Sequence, residues 1–356
     1  MAVNEVTDRP KVSIIIPVFN GSDFLAEAID SALAQTYRNI EIVVVNDGSS
    51  DEGATERVAR SYGGRIRYFS KANGGVASAL NLAISKMSGE YFSWLSHDDL
   101  YTADKIEREL ELLASVSAAD RGRSIVYSDY AVFTNDPSQA IPVVMRGVEP
   151  ECFRYWITVE NCLHGCTLLV PRAAFEDVGL FDERLRTTQD YDLWFRLAAR
   201  YRFVHLSQHL VLARSHALQG TRSMSTTVQI EGNALMSKFA AELSEAELLH
   251  ASRQELIVAY ATIASSLWYR GYASAGWQVT TRTFDCLQRA SLLGLVKAIN
   301  LVLIGVVGCY VMTPLRRRIP VGVRAYLRRM FSRAGKDIAS SSNSGLRCCV
   351  HDVEQK

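Results

Sequence analysis

The sequence predicts an α/β protein with a mixed, mostly parallel sheet flanked by helices and an α-helical extension in the C-terminal part. Three observations support this prediction. Over the first 133 residues, β-branched or aromatic runs alternate with amphipathic helical patterns, which is typical of right-handed parallel units. Polar loops follow four of the predicted strands. From about residue 229 onward the pattern is helical, with few prolines or glycines.

The bulk composition is that of a globular protein with room for two domains, or for one large domain with an appendage, in 356 residues. A formal net charge of +1 gives no global basic field of the kind that a nucleic-acid-binding protein needs, so we exclude nucleic acid as a partner. Residues 1–10 are polar and lack the apolar segment of a signal peptide, so we expect the N-terminal region to fold in the cytoplasm.

The seven cysteines are odd in number and show no repeated C-x-x-C spacing, which predicts reduced thiols without a disulfide framework or zinc knuckle. Cys162, His164 and Cys166 are neighbours in the sequence. Gaps of one residue are typical of alternate positions in a strand, so we favour a strand over a zinc site here.

Five strands are predicted in the first 133 residues, and a helix follows each of the first four. The strands are Val12–Val18, 41–45, 65–70, 91–95 and Ser124–Phe133. The helices are 22–36, a polar helix ending near 61, 76–87 and 102–116. Ser22 is the predicted N-cap of the first helix.

The fourth predicted strand ends in two adjacent carboxylates, Asp98 and Asp99. Carboxylates are costly at the end of a core strand without a partner, and in open α/β sheets this edge binds ligands. A divalent cation that bridges the carboxylates to a ligand's phosphates would be such a partner. The alternative is that Asp99 caps the helix predicted from residue 102. Taken alone, the pair leaves both interpretations open.

Four polar loops follow successive predicted strands, at residues 17–20, 47–51, 73–75 and 96–99. Because a doubly wound sheet gathers these strand ends on one edge, the loops should converge into one crevice. There Asp47 can accept a hydrogen bond from the ring N–H of a base, and Gly74 and Gly75 let a ligand approach the backbone closely. Each loop alone also fits a turn or a helix cap, but together they favour a binding site.

The middle of the chain mixes short elements. They are a strand at 164–170, a helix at 171–178 with proline in its first turn, a helix at 189–200 and strands at 203–206 and 210–213. A helical segment then covers about residues 229–290.

The region 291–336 is predicted to associate with a membrane. Residues 298–313 are uncharged, and extending the span to 291–313 includes Lys297, so the uncharged part is slightly short of a spanning helix. Residues 315–336 carry eight basic and no acidic side chains, which suits the anionic inner face of a cell membrane. The alternative is a buried C-terminal helix with a basic tail. Residues 337–356 are expected to be a disordered tail.

Five motifs, in this order, resemble those of the inverting family 2 glycosyltransferases, which have the GT-A fold. They are Ile-Ile-Ile-Pro-Val-Phe-Asn at 14–20, Val-Val-Asn-Asp-Gly-Ser-Ser-Asp at 44–51, Asn-Gly-Gly at 73–75 followed by Ala79 and Asn81, Trp-Leu-Ser-His-Asp-Asp at 94–99, and Gln-Asp-Tyr-Asp-Leu-Trp at 189–194. The resemblance covers about residues 11–220 and implies a GT-A domain at 1–228. It implies transfer of a sugar, with inversion, from a UDP- or dTDP-linked donor to a saccharide or lipid-linked acceptor in bacterial cell-surface polysaccharide synthesis.

The resemblance also assigns the donor site. It implies that Pro17 and Phe19 line the base pocket, that Asp47 bonds the base, and that Lys71 lies near the diphosphate or the base. The remaining members of the implied donor site are Asn20, Asn73, Gly74, Gly75 and Asp98.

Asp98 and Asp99 match the end of the family's metal-binding motif, commonly Asp-x-Asp-Asp, whose first acid is Ser96 here. Two carboxylates suffice for Mg²⁺ or Mn²⁺ when the substrate's phosphates and water complete the coordination shell, although the loss of one acid could weaken affinity. Arg214-Ser215-His216 resembles a late family element that brings a histidine to the metal, so His216 is either a third ligand or structural. His97 is expected to be a solvent-facing bystander.

Inverting transfer needs a carboxylate that takes the acceptor's hydroxyl proton. In the family this base lies in an acidic pair heading a late helix, which implies Asp190, with Gln189 in place of the usual preceding Glu. Asp192 is the weaker candidate, because helix capping could account for either acid. Trp194 and Phe195 are expected to pack the helix.

Three alternative functions have sequence signals of their own. A sugar nucleotidyltransferase would open with a glycine-rich, arginine-containing loop, where this chain has residues 17–20. A dinucleotide-dependent dehydrogenase would show GxGxxG after an early strand, and none is present. A nucleotide-sugar-binding or scaffolding protein with weakened catalysis is suggested by the departures at Ser96 and Gln189.

Overall fold

The computed structural model describes residues 9–160, 163–216 and 224–312. The chain divides into two compact units, Met1–Ile157 with Cys162–Glu231, and Thr158–Asn161 with Gly232–Lys356. We call them the sheet unit and the helical unit. The predicted basic segment at 315–336 and the predicted tail at 337–356 lie outside the described residues.

The sheet unit is built on a nine-stranded sheet that is mixed, as the sequence predicted, although two of the nine strands were not predicted. Its strands are β1 Val12–Val18, β2 Ile40–Asn46, β3 Arg67–Ser70, β4 Tyr91–Trp94, β5 Leu100–Tyr101, β6 Ser124–Phe133, β7 Ile141–Val143, β8 Leu168–Pro171 and β9 Arg202–Arg214. Their order is β3-β2-β1-β4-β8-β6-β9-β5, with β7 paired to β6. The first four strands in this order run parallel, and β8 lies antiparallel between β4 and β6.

Helices flank the sheet and form the rest of the chain. They are α1 Leu25–Leu33, α2 Ala54–Ser61, α3 Val76–Lys86, α4 Lys105–Ser115, α5 Ala118–Arg121, α6 Phe153–Val159, α7 Ala173–Val178, α8 Gln189–Leu197, α9 Ser225–Glu242, α10 Glu245–Ser252, α11 Leu256–Tyr269, α12 Ala273–Asp285 and α13 Leu292–Val307. Every residue of β1 is buried, so the parallel strands form the centre of the core.

The starts of α1 and α4 differ from the prediction. Ser22 does not cap α1, because the Gly21 carbonyl accepts the N–H groups of Phe24 and Leu25 and the helix begins at Leu25. Asp99 does not cap a helix from residue 102, because β5 intervenes and α4 begins at Lys105. The helix-cap explanation of Asp99 is therefore wrong.

The two short strands predicted at 203–206 and 210–213 are one continuous strand, β9. Its pairing with β6 steps from Leu206 opposite Ser128 to His209 opposite Asp129, and then to Val211 opposite Tyr130, so three residues of β9 bulge out of the ladder. The polar residues at this bulge interrupt the apolar pattern without ending the strand.

The strand predicted at 164–170 begins only at Leu168. A 3₁₀ turn, Gly165–Thr167, precedes it, because the His164 ring accepts the Cys166 N–H and the His164 carbonyl accepts the Thr167 N–H. His164 and Cys166 therefore do not alternate along a strand. Pro171 is the last residue of β8 and not part of the first turn of α7.

Among the described residues of the helical unit, one helix is long and apolar enough to cross a membrane, Leu292–Tyr310, of which 22% is buried. Small residues on α13 face α11: a Cβ added to Gly305 would lie 2.7 Å from the Ser265 backbone. Large apolar side chains on the same helix are between 47% and 79% exposed. They are Leu292, Leu293, Val296, Ile299, Leu303, Ile304, Val307 and Tyr310.

Candidate active site

The loops after β1 and β2 are joined by Asn20. Its side-chain Oδ1 accepts the Ser50 N–H at 2.7 Å, and its own N–H donates to Ser49 Oγ at 2.9 Å. Asn20 has a φ of 48°, a left-handed conformation that asparagine tolerates better than most residues. Beside it, Pro17 is buried, while 45% of the Phe19 surface is exposed. The exposed Phe19 ring can offer its face to a planar ligand.

The buried carboxylate of Asp47 organises the next two loops. It accepts hydrogen bonds from Lys71 Nζ at 2.9 Å, from the Gly74 N–H at 3.0 Å and from the Gly75 N–H at 2.7 Å. Asn73 Nδ2 donates to the Asp47 carbonyl at 2.9 Å. Since a carboxylate can accept about four hydrogen bonds, one acceptor position of Asp47 remains.

Arg186 is a cation at this edge that the sequence analysis missed. Its Nη1 donates to the Gly74 carbonyl at 3.1 Å, and a Cβ added to Gly75 would lie 2.9 Å from the same nitrogen. Glu231 holds the segment in front of α8, because its carboxylate accepts the N–H groups of Arg186 and Thr187 at 2.8 and 2.9 Å. No local pattern signals this contact, because Glu231 lies 45 residues further along the chain.

Asp98 and His216 are brought together. The His216 Nε2 atom lies 2.9 Å from Asp98 Oδ2, and Arg214 Nε donates to the Asp98 carbonyl at 3.0 Å. The Phe24 ring packs against the His216 ring at 5.2 Å between centroids. Adjacent ligands of an octahedral Mg²⁺ lie about 3 Å apart, given metal–oxygen distances of about 2.1 Å. The Asp98 and His216 atoms are hydrogen-bonded to each other here, and their separation is also that of two neighbouring ligands around one hard divalent cation.

Asp99 has a different set of partners. It is buried, and its Oδ1 accepts the Arg214 N–H at 2.9 Å, while Oδ2 lies 3.5 Å from Cys166 Sγ and 3.6 Å from His164 Nε2. Burial and the neighbouring negative charge of Asp98 raise its pKa well above the ordinary value. The two aspartates predicted to share one metal thus make contacts with different side chains.

The positions next to these aspartates are occupied by small or packed groups. Ser96, where the family commonly has an acid, has its Oγ 3.3 Å from Cys166 Sγ. His97 packs against Gly21 instead of facing solvent, and burial lowers its pKa.

Asp190 lies in the first turn of α8. Its Oδ1 accepts the Tyr191 N–H at 2.8 Å, and no cation pairs with it in the part of the chain that the structure describes. Burial raises the pKa of Asp190 to about 6. A carboxyl group with such a pKa is ionised at neutral pH and is a stronger base than an ordinary aspartate.

The other residues of this motif support the helix. Asp192 is buried and pairs with Arg196 Nε at 2.8 Å, and Arg196 also donates to two backbone carbonyls. Trp194 and Phe195 are fully buried, with the Trp194 ring edge-on to Phe181. Gln189 is buried too. Asp192 therefore stabilises the local structure, which leaves Asp190 as the candidate base.

The sequence matches the model of "Glycosyl transferase family 2" over residues 13–179. It is 44% identical over 246 residues to an uncharacterized glycosyltransferase of Rickettsia typhi, covering 68% of this chain and 76% of that protein. The corresponding Rickettsia felis protein is 46% identical over 67% of this chain, and the matched part is 40% of its length.

A more distant relative is the chondroitin synthase of Pasteurella multocida, 33% identical over 56% of this chain and 20% of that protein. Among solved structures, S. aureus TarS 1–349 in complex with UDP-GlcNAc has a TM-score of 0.53 at 18% identity, covering 84% of this chain and 81% of that one. At this identity the likeness extends to the fold alone.

Proposed function

This chain belongs to glycosyl transferase family 2 and has the GT-A fold, and from this premise we propose that it transfers a sugar, with inversion, from a nucleoside diphosphate donor to a saccharide or lipid-linked acceptor. The observation that carries the proposal is Asp190, a carboxyl group without a cationic partner among the described residues and with a pKa raised to about 6. A structural ion pair would lower that pKa instead.

The donor is UDP- or dTDP-linked in this proposal, and the product is a bacterial cell-surface polysaccharide. Two similar proteins support this donor and product: the solved TarS structure is a complex with UDP-GlcNAc, and the Pasteurella relative is a chondroitin synthase. The donor lies against the edge formed by the loops after β1 to β4. Phe19 and Asp47 contact the base, Lys71 is near the diphosphate, and Asn20, Asn73, Gly74 and Gly75 shape the backbone around it.

Asp190 performs the proton chemistry. It accepts the proton of the acceptor's hydroxyl while that oxygen bonds to the anomeric carbon, from the face opposite the diphosphate. The bond between the sugar and the diphosphate breaks in the same step, so the configuration inverts. General-base assistance of this kind contributes about 10²–10⁴-fold to the rate.

Asp98 and His216 would hold Mg²⁺ or Mn²⁺, with Asp99 next to them. When bound, such an ion neutralises the charge that develops on the departing diphosphate. Asp99 would add a third ligand to this ion from a buried position, where its Oδ1 accepts the Arg214 N–H.

The apolar helix is proposed to contact the inner face of the cell membrane. A core helix of a soluble protein would be mostly buried, whereas only 22% of the apolar helix is buried. Its 19 residues span about 28 Å at 1.5 Å per residue, close to the thickness of a bilayer's hydrocarbon core. The basic segment predicted at 315–336 supports contact with an anionic lipid surface. The division into a catalytic domain at 1–228, a helical segment at 229–290 and a membrane-associating segment at 291–336 stays part of this proposal.

Vesicle flotation tests the membrane contact. Leu303→Asp combined with Ile304→Asp should release the protein from vesicles that contain anionic lipid, because both side chains are exposed on the apolar face. Ile141→Asp is the matched control, since Ile141 is 63% exposed on β7 of the sheet unit. Equal binding of the double variant and the control would contradict the proposal.

A donor screen followed by an activity assay tests the catalytic proposal. Thermal unfolding is first followed with several nucleotide sugars, with and without Mn²⁺, because donor binding to the folded state raises the melting temperature. Release of free nucleoside diphosphate is then measured with the stabilising donor. Asp98→Asn should weaken the Mn²⁺-dependent shift, whereas Asp190→Asn should keep the shift and lose transfer. A protein that binds the donor but never releases nucleotide would be a binding module.

A further inference from the structure

Asp99, His164 and Cys166 form a cluster of three metal-ligating side chains, which we call the thiol cluster. One ligand atom from each lies within 4.8 Å of the other two. The cluster forms because β8 pairs with β4, which brings the Gly165–Thr167 turn to the end of the strand that carries the aspartates. Donor binding and the base Asp190 use neither His164 nor Cys166.

The distances from Asp99 Oδ2 to the other two ligand atoms suit a tetrahedral cation. Ligand distances to zinc of about 2.3 Å for sulfur and 2.0–2.2 Å for nitrogen and oxygen place tetrahedral neighbours about 3.4–3.6 Å apart. Asp99 Oδ2 lies 3.5 Å from Cys166 Sγ and 3.6 Å from His164 Nε2. Sulfur, imidazole and carboxylate ligands together favour zinc over magnesium or manganese.

Burial and the neighbouring Asp99 carboxylate raise the pKa of the Cys166 thiol well above its usual range, so a bound cation has to displace the thiol proton. The Ser96 N–H donates to Cys166 Sγ at 3.2 Å, and Ser96 Oγ lies 3.3 Å from the same sulfur. Ser96 thus places two hydrogen-bonding groups against the Cys166 sulfur.

We propose that the thiol cluster is a binding site for Zn²⁺ or a similar soft divalent cation, separate from the Asp98 and His216 pair. On binding, bonds form from the cation to Cys166 Sγ, His164 Nε2 and Asp99 Oδ2, and the thiol proton leaves to water. The His164 ring proton moves to Nδ1, which gives up the 3.3 Å contact with the Cys166 N–H. That contact is at the long end of the hydrogen-bond range, so the exchange removes a weak interaction.

Occupancy of the site would inhibit the enzyme. Asp99 bound to Zn²⁺ no longer serves the cation at the donor diphosphate, so soft cations should oppose Mg²⁺ or Mn²⁺. This consequence rests on the proposed glycosyl transfer, whereas binding itself does not.

Co²⁺ tests binding directly, because tetrahedral cobalt bound to a thiolate has strong visible and charge-transfer absorption. The full chain carries Cys348→Ser and Cys349→Ser, which removes two adjacent thiols. One cobalt per chain should produce the band, and Cys166→Ser should abolish it. His164→Gln should weaken cobalt binding at least about tenfold. Cys286→Ser is the matched control, since its thiol is also buried.

A band that survives both Cys166→Ser and His164→Gln, or that disappears in Cys286→Ser, would overturn the site. Should Cys166→Ser fail to fold, His164→Gln decides the question, because His164 is partly exposed. In the activity assay, added Zn²⁺ should lower Mn²⁺-supported transfer by the Cys348→Ser, Cys349→Ser protein and by the Cys286→Ser control. In Cys166→Ser, the rate of transfer with added Zn²⁺ should equal the rate without it. Normal transfer without a cobalt band would contradict the zinc site but not the proposed function. A cobalt band without transfer would contradict the proposed function but not the zinc site.

Discussion

Replacing Asp190 by Asn should stabilise the protein while removing its activity. The carboxyl pKa is raised from 3.8 to about 6, so burial disfavours the ionised form. This difference corresponds to about 3 kcal/mol. Because Asp190 is partly exposed, solvent screening reduces the expected gain to about 1–2 kcal/mol. The neutral amide keeps an oxygen that can accept the Tyr191 N–H.

The pH dependence has a definite sign. Between pH 3.8 and about 6 the folded protein binds the Asp190 proton more tightly than the unfolded chain does. Wild-type stability therefore falls as the pH rises through this window, and the cost is fully present above it. The gain of Asp190→Asn should appear above about pH 6 and vanish below about pH 4. Transfer by the wild type should decline as the pH falls through about 6, because the base becomes protonated.

Urea unfolding, followed by tryptophan fluorescence on both sides of this window, measures the stability, and nucleotide release measures the activity. Transfer should fall about 10²–10⁴-fold in Asp190→Asn. Asp192→Asn is the matched control on the same helix: it breaks the ion pair with Arg196 and should destabilise the protein by about 1–3 kcal/mol. If Asp190→Asn retained full transfer and gained no stability at neutral pH, the assignment of Asp190 as a buried base would be refuted.

Two further substitutions test the framework around the site. Gly75→Ala should raise the KM for the donor more than it lowers kcat and cost about 1–3 kcal/mol, because Gly75 has a φ of 90° and a ψ of 168° and its Cβ would meet Arg186. Gly63→Ala, with a φ of 56° and open space, is the control that should cost less and leave the KM unchanged. Lys105→Met should lower the free energy of unfolding by about 3–5 kcal/mol, because it leaves Glu109, whose pKa burial already raises to about 7, without its partner in the core. Chemical denaturation checks both costs, and adding Glu109→Leu to Lys105→Met should recover most of the loss.

Local sequence patterns predicted the parallel half of the sheet well. The strands β1 and β6 begin and end at the predicted residues, and β2, β3 and β4 differ by one or two residues at their ends. Continuous β-branched and aromatic runs identify buried parallel strands, and Gly, Asn, Asp and Ser identify the loops that follow them. The polar loops could be placed on one edge of the sheet for the same reason, since parallel strands end on the same side.

Other features had no local signal. The bulge in β9 was missed, because two polar residues looked like the end of a strand. The 3₁₀ turn before β8 was missed, because one-residue spacing of Cys166 and His164 imitates strand alternation. The contacts of Asp99 with His164, Cys166 and the Arg214 N–H also depend on groups far along the chain.

By itself the sequence determined the α/β class, the family and the residue types at the sheet edge, because these depend on short-range periodicity and turn chemistry. Tertiary structure alone decided that Asp98 meets His216, that Asp99 meets Cys166, and that Asp190 is buried enough to have a raised pKa. The contact partners are separated by 118 and 67 residues. Such contacts follow from strand order, here the insertion of antiparallel β8 beside β4, and strand order is not encoded in the pattern of any single element.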